Sequence, residues 1–149
     1  MYHRILVPLD GSPTAEAGLR HAIDLASALK AKLVLLHVLD DFALTMEMSS
    51  VSSYDTIRDA LRQNGQLALD RAQQITADAG VMCESFVREV AQARVSDVIN
   101  DEAVKHRCDL VVMGTHGRRG FSRLAMGSTA EAVMRTSTVP VLMVRVGSV

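Results

Sequence analysis

Residues 5 to 13 read Ile5-Leu6-Val7-Pro8-Leu9-Asp10-Gly11-Ser12-Pro13, and the order of residue types in this stretch decides the fold. An unbroken apolar run suits a strand buried on both faces, and Asp10-Gly11 ends it with a turn. Ser12 is a helix N-cap, and Pro13 stands at the first helical position, where its missing N–H costs nothing. A buried strand that turns straight into a helix opens a βαβ unit. Ala15, Leu19, Ala22, Ala26 and Leu29 then recur at helical spacing up to Lys30, and Leu33 to Leu39 forms a second continuous apolar run.

The alternation continues outward. Tyr54 to Ala79 reads as a helix with Ile57, Leu61, Ala68, Ala72 and Ile75 on one face, Asn64-Gly65 weakening its middle and Gly80 stopping it. Val81 to Arg88, with Glu84 and Ser85 inside it, is polar enough to be an edge strand. Arg94 to His106 is a helix that turns Val95, Val98, Ile99 and Ala103 inward, followed by strands at Leu110 to Met113 and Val139 to Val146. Strands alternating with helices imply right-handed crossovers, so the expected class is α/β: one doubly wound domain over residues 1–149, with a five-stranded parallel sheet of order 3-2-1-4-5 and helices on both faces. Ligands of such sheets bind where the strand order reverses, beyond the carboxyl ends of strands one and four, here Asp10 and Gly114. Asp40 to Ser53, with Met46, Met48 and four serines, has neither periodicity nor turn density and reads as a loop, a lid or a partner surface.

Composition narrows the function. The 149 residues are 48% apolar and 22% charged, an ordinary globular balance of one domain's length. Sixteen basic against seventeen acidic side chains leave a net charge of -1, so no global field holds a polyanion and nucleic-acid binding is not expected. No apolar run reaches the roughly 18–20 residues that span a bilayer, and Met1-Tyr2-His3-Arg4 leads into a strand rather than a signal peptide, which predicts a cytoplasmic protein without a membrane segment. Cys83 and Cys108 adjoin apolar stretches and read as small buried thiols.

Gly114-Thr115-His116-Gly117-Arg118-Arg119-Gly120-Phe121-Ser122-Arg123-Leu124-Ala125-Met126-Gly127-Ser128-Thr129 joins strand four to the last helix. Gly114 allows backbone to approach a ligand closely, Gly117 permits a left-handed turn, and Gly127-Ser128-Thr129 presents N–H groups at a helix N-terminus, a ready anion site. Arg118, Arg119 and Arg123 add positive charge. The loop describes a phosphate cradle; its bland counterpart is a glycine-rich surface loop with a solvated basic face. No Gly is followed by Lys, so there is no P-loop, and the first turn lacks the G-x-G-x-x-G dinucleotide fingerprint.

These residues resemble the universal stress protein family, specifically its ATP-binding branch, along the whole chain. The diagnostic pattern is Gly, two residues, Gly, nine residues, Gly, then Ser or Thr, matched by Gly114, Gly117, Gly127 and Ser128. Ile5 to Ser12, Leu36-His37-Val38 and Val139 to Val144 look like the family's opening, second and closing strands. The resemblance implies a Rossmann-like fold. It also implies that Asp10 holds the ribose and adenine side, that Val38 meets adenine through its backbone, and that Gly114, Gly117, Gly127, Ser128 and Thr129 hold the phosphates. Pro8 and Met113 line the same pocket on this likeness. ATP is then the expected cofactor, with Mg2+ held by its phosphates. A homodimer through Val139 to Val146 is the expected assembly, and an unidentified protein partner would read a nucleotide-dependent stress-response module. The competing reading is a slow ATPase or self-phosphorylating phosphotransferase with Ser128, Thr129 or Ser122 as acceptor. Only His116 and Asp10 are available as a base or water-positioning group, no residue is assigned a catalytic role, and no protein metal site is expected. His3, His21, His37 and His106 read as satisfied core or surface histidines.

Overall fold

The computed structural model describes residues 1–40, 54–90, 92–116 and 126–146. The loop from residue 41 to Ser53, Gly117 and the arginines at 118, 119 and 123 lie outside the described residues. The chain runs β1 (Arg4–Pro8), α1 (Pro13–Leu29), β2 (Lys32–Asp40), α2 (Tyr54–Asp78), β3 (Cys83–Val90), α3 (Val95–Lys105), β4 (Leu110–Gly114), α4 (Ser128–Thr136) and β5 (Val141–Val144). All five strands are parallel and stand in the order β3-β2-β1-β4-β5, the doubly wound order expected from the sequence.

Side chains alternate across the sheet. Ile5, Val7, Leu33, Leu35, Leu110 and Val112 pack with α1 and α2 on one face; Leu6, Val34, Leu36, Val111 and Met113 pack with α3 and α4 on the other. Both faces of the central strands are therefore dry, which is why these strands read as unbroken apolar runs.

Pro8 is out of place in a central strand only on first inspection. Lys32 N–H bonds to His3 O and Leu9 N–H to Leu36 O, whereas Asp109 N–H bonds to Arg4 O. Odd residues of β1 thus face β2 and even ones face β4, so the missing N–H of Pro8 falls on the β4 side. On that side β1 pairs only Ile5↔Leu110 and Leu6↔Val111, while its ladder with β2 continues to Pro8↔Leu36. The strands have parted before Pro8 is reached, and a crevice opens there.

Element boundaries depart from the sequence reading for identifiable reasons. β3 starts at Cys83, not Val81, because Val81 N–H closes α2 on Thr76 O at 3.1 Å while Gly80 N–H bonds to Ala77 O at 2.9 Å, with Gly80 at φ 72. This is a Schellman stop, and it consumes the residue that would have begun the strand. Arg107, at φ 52, ends α3 in the same way through Arg107 N–H to Val104 O and Cys108 N–H to Ala103 O. β5 is Val141–Val144 rather than Val139 to Val146, since Pro140 has no N–H and Val139 N–H is taken by Ser137 Oγ at 3.2 Å. Ser12 caps α1 as expected, its Oγ accepting Ala15 N–H at 3.1 Å.

α3 differs in what it buries. Val98 is half-buried, and Glu102 is buried in its place. Burial pushes the Glu102 carboxyl up, but hydrogen bonds from Arg88, His106 and Lys105, together with the charge of Arg88, outweigh it and hold the group below its ordinary range. Arg88 Nε lies 2.9 Å from Glu102 Oε1, and His106 Nε2 lies 2.9 Å from Oε2 while its ring stacks on Phe86. Burial likewise raises both thiols, Cys108 to about 11, so neither supplies a thiolate near neutrality.

A depressed carboxyl stabilises the fold fully above its unfolded value, near 4.5, and the contribution is lost as pH falls through the folded value. Glu102→Gln is therefore expected to lower stability by about 1–3 kcal/mol at pH 7. In urea titrations the gap to wild type should close as pH falls below the ordinary carboxylate range and through the lowered folded value, where the wild-type side chain is itself protonated.

Candidate functional site

The parting of β1 and β4 leaves a cavity of about 400 Å³ over the carboxyl ends of the strands. Its walls come from Pro8, Leu9 and Asp10 at the end of β1, Leu36 to Asp40 of β2, Leu61, Asn64 and Gly65 of α2, Val95 and Ile99 of α3, Met113, Gly114 and His116 at the end of β4, and Gly127 to Ala130 at the start of α4. Of the residues singled out in the sequence, Pro8, Asp10, Val38, Met113, Gly114, Gly127, Ser128 and Thr129 all line this one cavity. Gly117 lies outside the described residues.

Each wall has a local cause. Asp10 Oδ1 accepts Ser12 N–H at 2.9 Å, an Asx turn made possible by Gly11 at φ 80, and this bond fixes the carboxylate at the cavity edge. Gly127 N–H bonds to Thr115 O at 2.7 Å, which docks the start of α4 beside β4. Gly127 is the N-cap of α4 and offers no side-chain acceptor, so the first turn carries amides that no cap occupies. Such a terminus carries roughly half a positive charge and favours an anion.

Gly114 does line the cavity, but the close approach it permits is to protein. A Cβ there would lie 2.5 Å from Thr14 O and 3.0 Å from Thr14 Cβ. The first turn of α1 occupies that space, so packing by itself requires glycine at this position.

His37, expected as a satisfied histidine, and Gly65, expected as a weak point of its helix, meet at the cavity wall. His37 Nδ1 lies 2.8 Å from Leu9 O, and since a carbonyl only accepts, Nδ1 carries the proton. The imidazole thus holds the end of β1 from behind. Its ring fills the space where a side chain on Gly65 would project, so Asn64-Gly65 is a notch for His37 and α2 runs unbroken through it. A glycine inside a 25-residue helix was the available signal. His116, the other histidine of the site, has Nδ1 at 2.9 Å from Thr115 Oγ1, and its Nε2 is buried without a partner among the described residues. Among the described residues no group of three His, Cys, Asp or Glu side chains could hold a metal ion, and no helix is long and apolar enough to cross a membrane.

The model of the universal stress protein family matches residues 1–145. The chain belongs to that family. It is 30% identical over 145 residues to universal stress protein MJ0531 of Methanocaldococcus jannaschii, an alignment spanning 97% of this chain and 83% of that protein. The solved structure of MJ0577 from the same organism superposes with a TM-score of 0.86 at 25% identity, over 100% of this chain and 99% of that one. An Archaeoglobus fulgidus universal stress protein solved in complex with dAMP shares the fold, with a TM-score of 0.66, 23% identity and coverage of 95% and 97%. Some family members thus bind nucleotides.

At an exposed helix position Gly→Ala stabilises by roughly 1 kcal/mol. Gly65→Ala is expected to destabilise instead, by about 1–3 kcal/mol, because the new methyl overlaps a ring already tied to Leu9 O. Chemical denaturation of Gly65→Ala, His37→Ala and the double variant checks this; the Gly65→Ala penalty should be mostly absent when it is measured in the His37→Ala background.

Proposed function

We propose that this protein binds ATP in the switch-point cavity and works as a nucleotide-dependent stress-response module, placing it in the family's ATP-binding branch. The observation that carries the reading is the convergence on one cavity of a fixed carboxylate, Asp10, and a helix N-terminus with no side-chain cap, Gly127 to Thr129. A volume of about 400 Å³ is within the range of small-molecule sites. Carboxylate oxygens accept hydrogen bonds from the vicinal hydroxyls of a ribose. Backbone amides at a helix start donate to phosphate oxygens. Apolar Pro8, Val38 and Met113 supply a surface for a purine, with Val38 backbone groups as its polar contact. Gly114, Gly117, Gly127, Ser128 and Thr129 make up the phosphate side, and Mg2+ enters on the phosphates. The dAMP complex of the Archaeoglobus fulgidus relative supports a nucleotide as the ligand class for this fold.

ATP should bind at least about tenfold more tightly than AMP, since the α4 terminus acts on phosphates beyond the first. Calorimetry with adenosine, AMP, ADP and ATP checks this ladder; equal affinity of AMP and ATP removes the cradle from the reading.

We further propose a homodimer through the last strand, and a protein partner that reads the nucleotide-bound form. β5 stands at the sheet edge with Val141, Leu142, Met143 and Val144 only half-buried, a combination that pairing with a second copy would cover. Sedimentation at micromolar concentration should give the dimer mass, and Met143→Pro should shift the protein to the monomer.

A further inference from the structure

A chain of hydroxyl and carbonyl groups runs behind the cavity, from the carboxylate side to the helix-terminus side. Asp10 Oδ1 accepts Ser12 N–H at 2.9 Å, and Ser12 Oγ lies 3.1 Å from Thr14 Oγ1. Thr14 Oγ1 in turn donates to His116 O. The directions are fixed by proton supply. A hydroxyl has one hydrogen, and that of Thr14 goes to a carbonyl, which can only accept, so Ser12 O–H must be the donor to Thr14 Oγ1. Ser12 Oγ also accepts Ala15 N–H at 3.1 Å. On the far side, Thr115 O, one residue before the carbonyl that Thr14 holds, accepts the N–H of Gly127. One polar path thus joins the β1–α1 turn to the start of α4.

Thr14 is the link on which this path depends, and it does not itself line the cavity. Its carbonyl and Cβ fill the space over Gly114, so its hydroxyl is held by packing and cannot wander to another acceptor. We infer that Thr14 is a positioning residue for the phosphate half of the site: through His116 O it fixes where the chain leaves β4, and so how the first turn of α4 meets a ligand. The inference rests on the ATP reading above. It adds that the two halves of the nucleotide are read by parts held in register by one hydroxyl.

The test compares Thr14→Val, which keeps the shape and loses the donor, with Thr14→Ser, which keeps the donor. Adenosine and ATP affinities are measured by calorimetry on folded protein, alongside amide exchange at Gly127 to Ala130 without nucleotide. Thr14→Val is expected to weaken ATP about five- to tenfold, the effect of one lost hydrogen bond, and to leave adenosine within twofold. Exchange at Gly127 should quicken in the same variant, and Thr14→Ser should restore both readouts to within twofold. A purely structural threonine would weaken both ligands alike or neither, and either result overturns the inference. If Thr14→Val does not fold, Thr14→Ala carries the same comparison. Failure of wild type to bind ATP would overturn the functional reading, whereas unchanged Gly127 exchange in the valine variant would overturn the coupling by itself.

Discussion

The site depends on how closely α1 can lie against the end of β4. Gly114 has no side chain, and Thr14 backbone occupies the space a Cβ would need. Gly18, one helical turn further along, meets β4 the same way: a Cβ there would stand 3.2 Å from Gly114 N and 3.3 Å from Met113 C. Two glycines on opposite sides of one contact let helix and strand backbones touch. With larger residues at either position the first turn of α1 would stand off the sheet. Ser12 would still cap the helix, but Thr14 would no longer reach His116 O, and the Asp10 turn would not share a wall with the start of α4.

The opposite wall rests on a different interaction. His37 is tied to Leu9 O and nested against Gly65, so β2 both supports the end of β1 and locates α2 over the cavity. An imidazole suits this place because Nδ1 donates to Leu9 O while the flat ring fits the notch at Gly65. Two glycine contacts, one on each side of β1, thus set how closely α1 and α2 approach the cavity. The low aromatic content of the chain, 3%, is consistent with a site shaped by backbone approach.

The two sheet edges are treated unlike each other. β3 is guarded by charge: Glu84 pairs with Arg4 and Lys32, and Glu89 with Arg58 and Arg62 of α2. Hydrogen bonds from Arg4 and Arg58 respectively hold these two carboxyls below their ordinary range. Pairs this exposed contribute little stability, but charges along an edge strand deter strand addition. β5 presents four apolar residues, Val141 to Val144, at the opposite edge. The two edges thus differ in character, charged along β3 and apolar along β5.

Much of this was legible in the chain. Apolar runs at Ile5 to Leu9 and Leu33 to Leu39, the Ser12-Pro13 helix start and the Gly80 stop determined the elements and their alternation, because period and capping are local properties of a sequence. Alternation then restricted the topology to a right-handed parallel sheet, and the switch point named Asp10 and Gly114 as neighbours across 104 residues of chain. What local pattern cannot carry is which atoms meet. Glycine at position 114 suggested room for a ligand, and only packing showed that Thr14 takes that room. Asn64-Gly65 suggested a weak helix, and only the approach of β2 showed a seat for His37. Glu102 gave no sign of burial, since its partners Arg88 and His106 come from another strand and from the helix end. Periodicity specifies which face of an element turns inward, but the fit of one face against another depends on distances between residues far apart in sequence, and those exist only once the chain has folded.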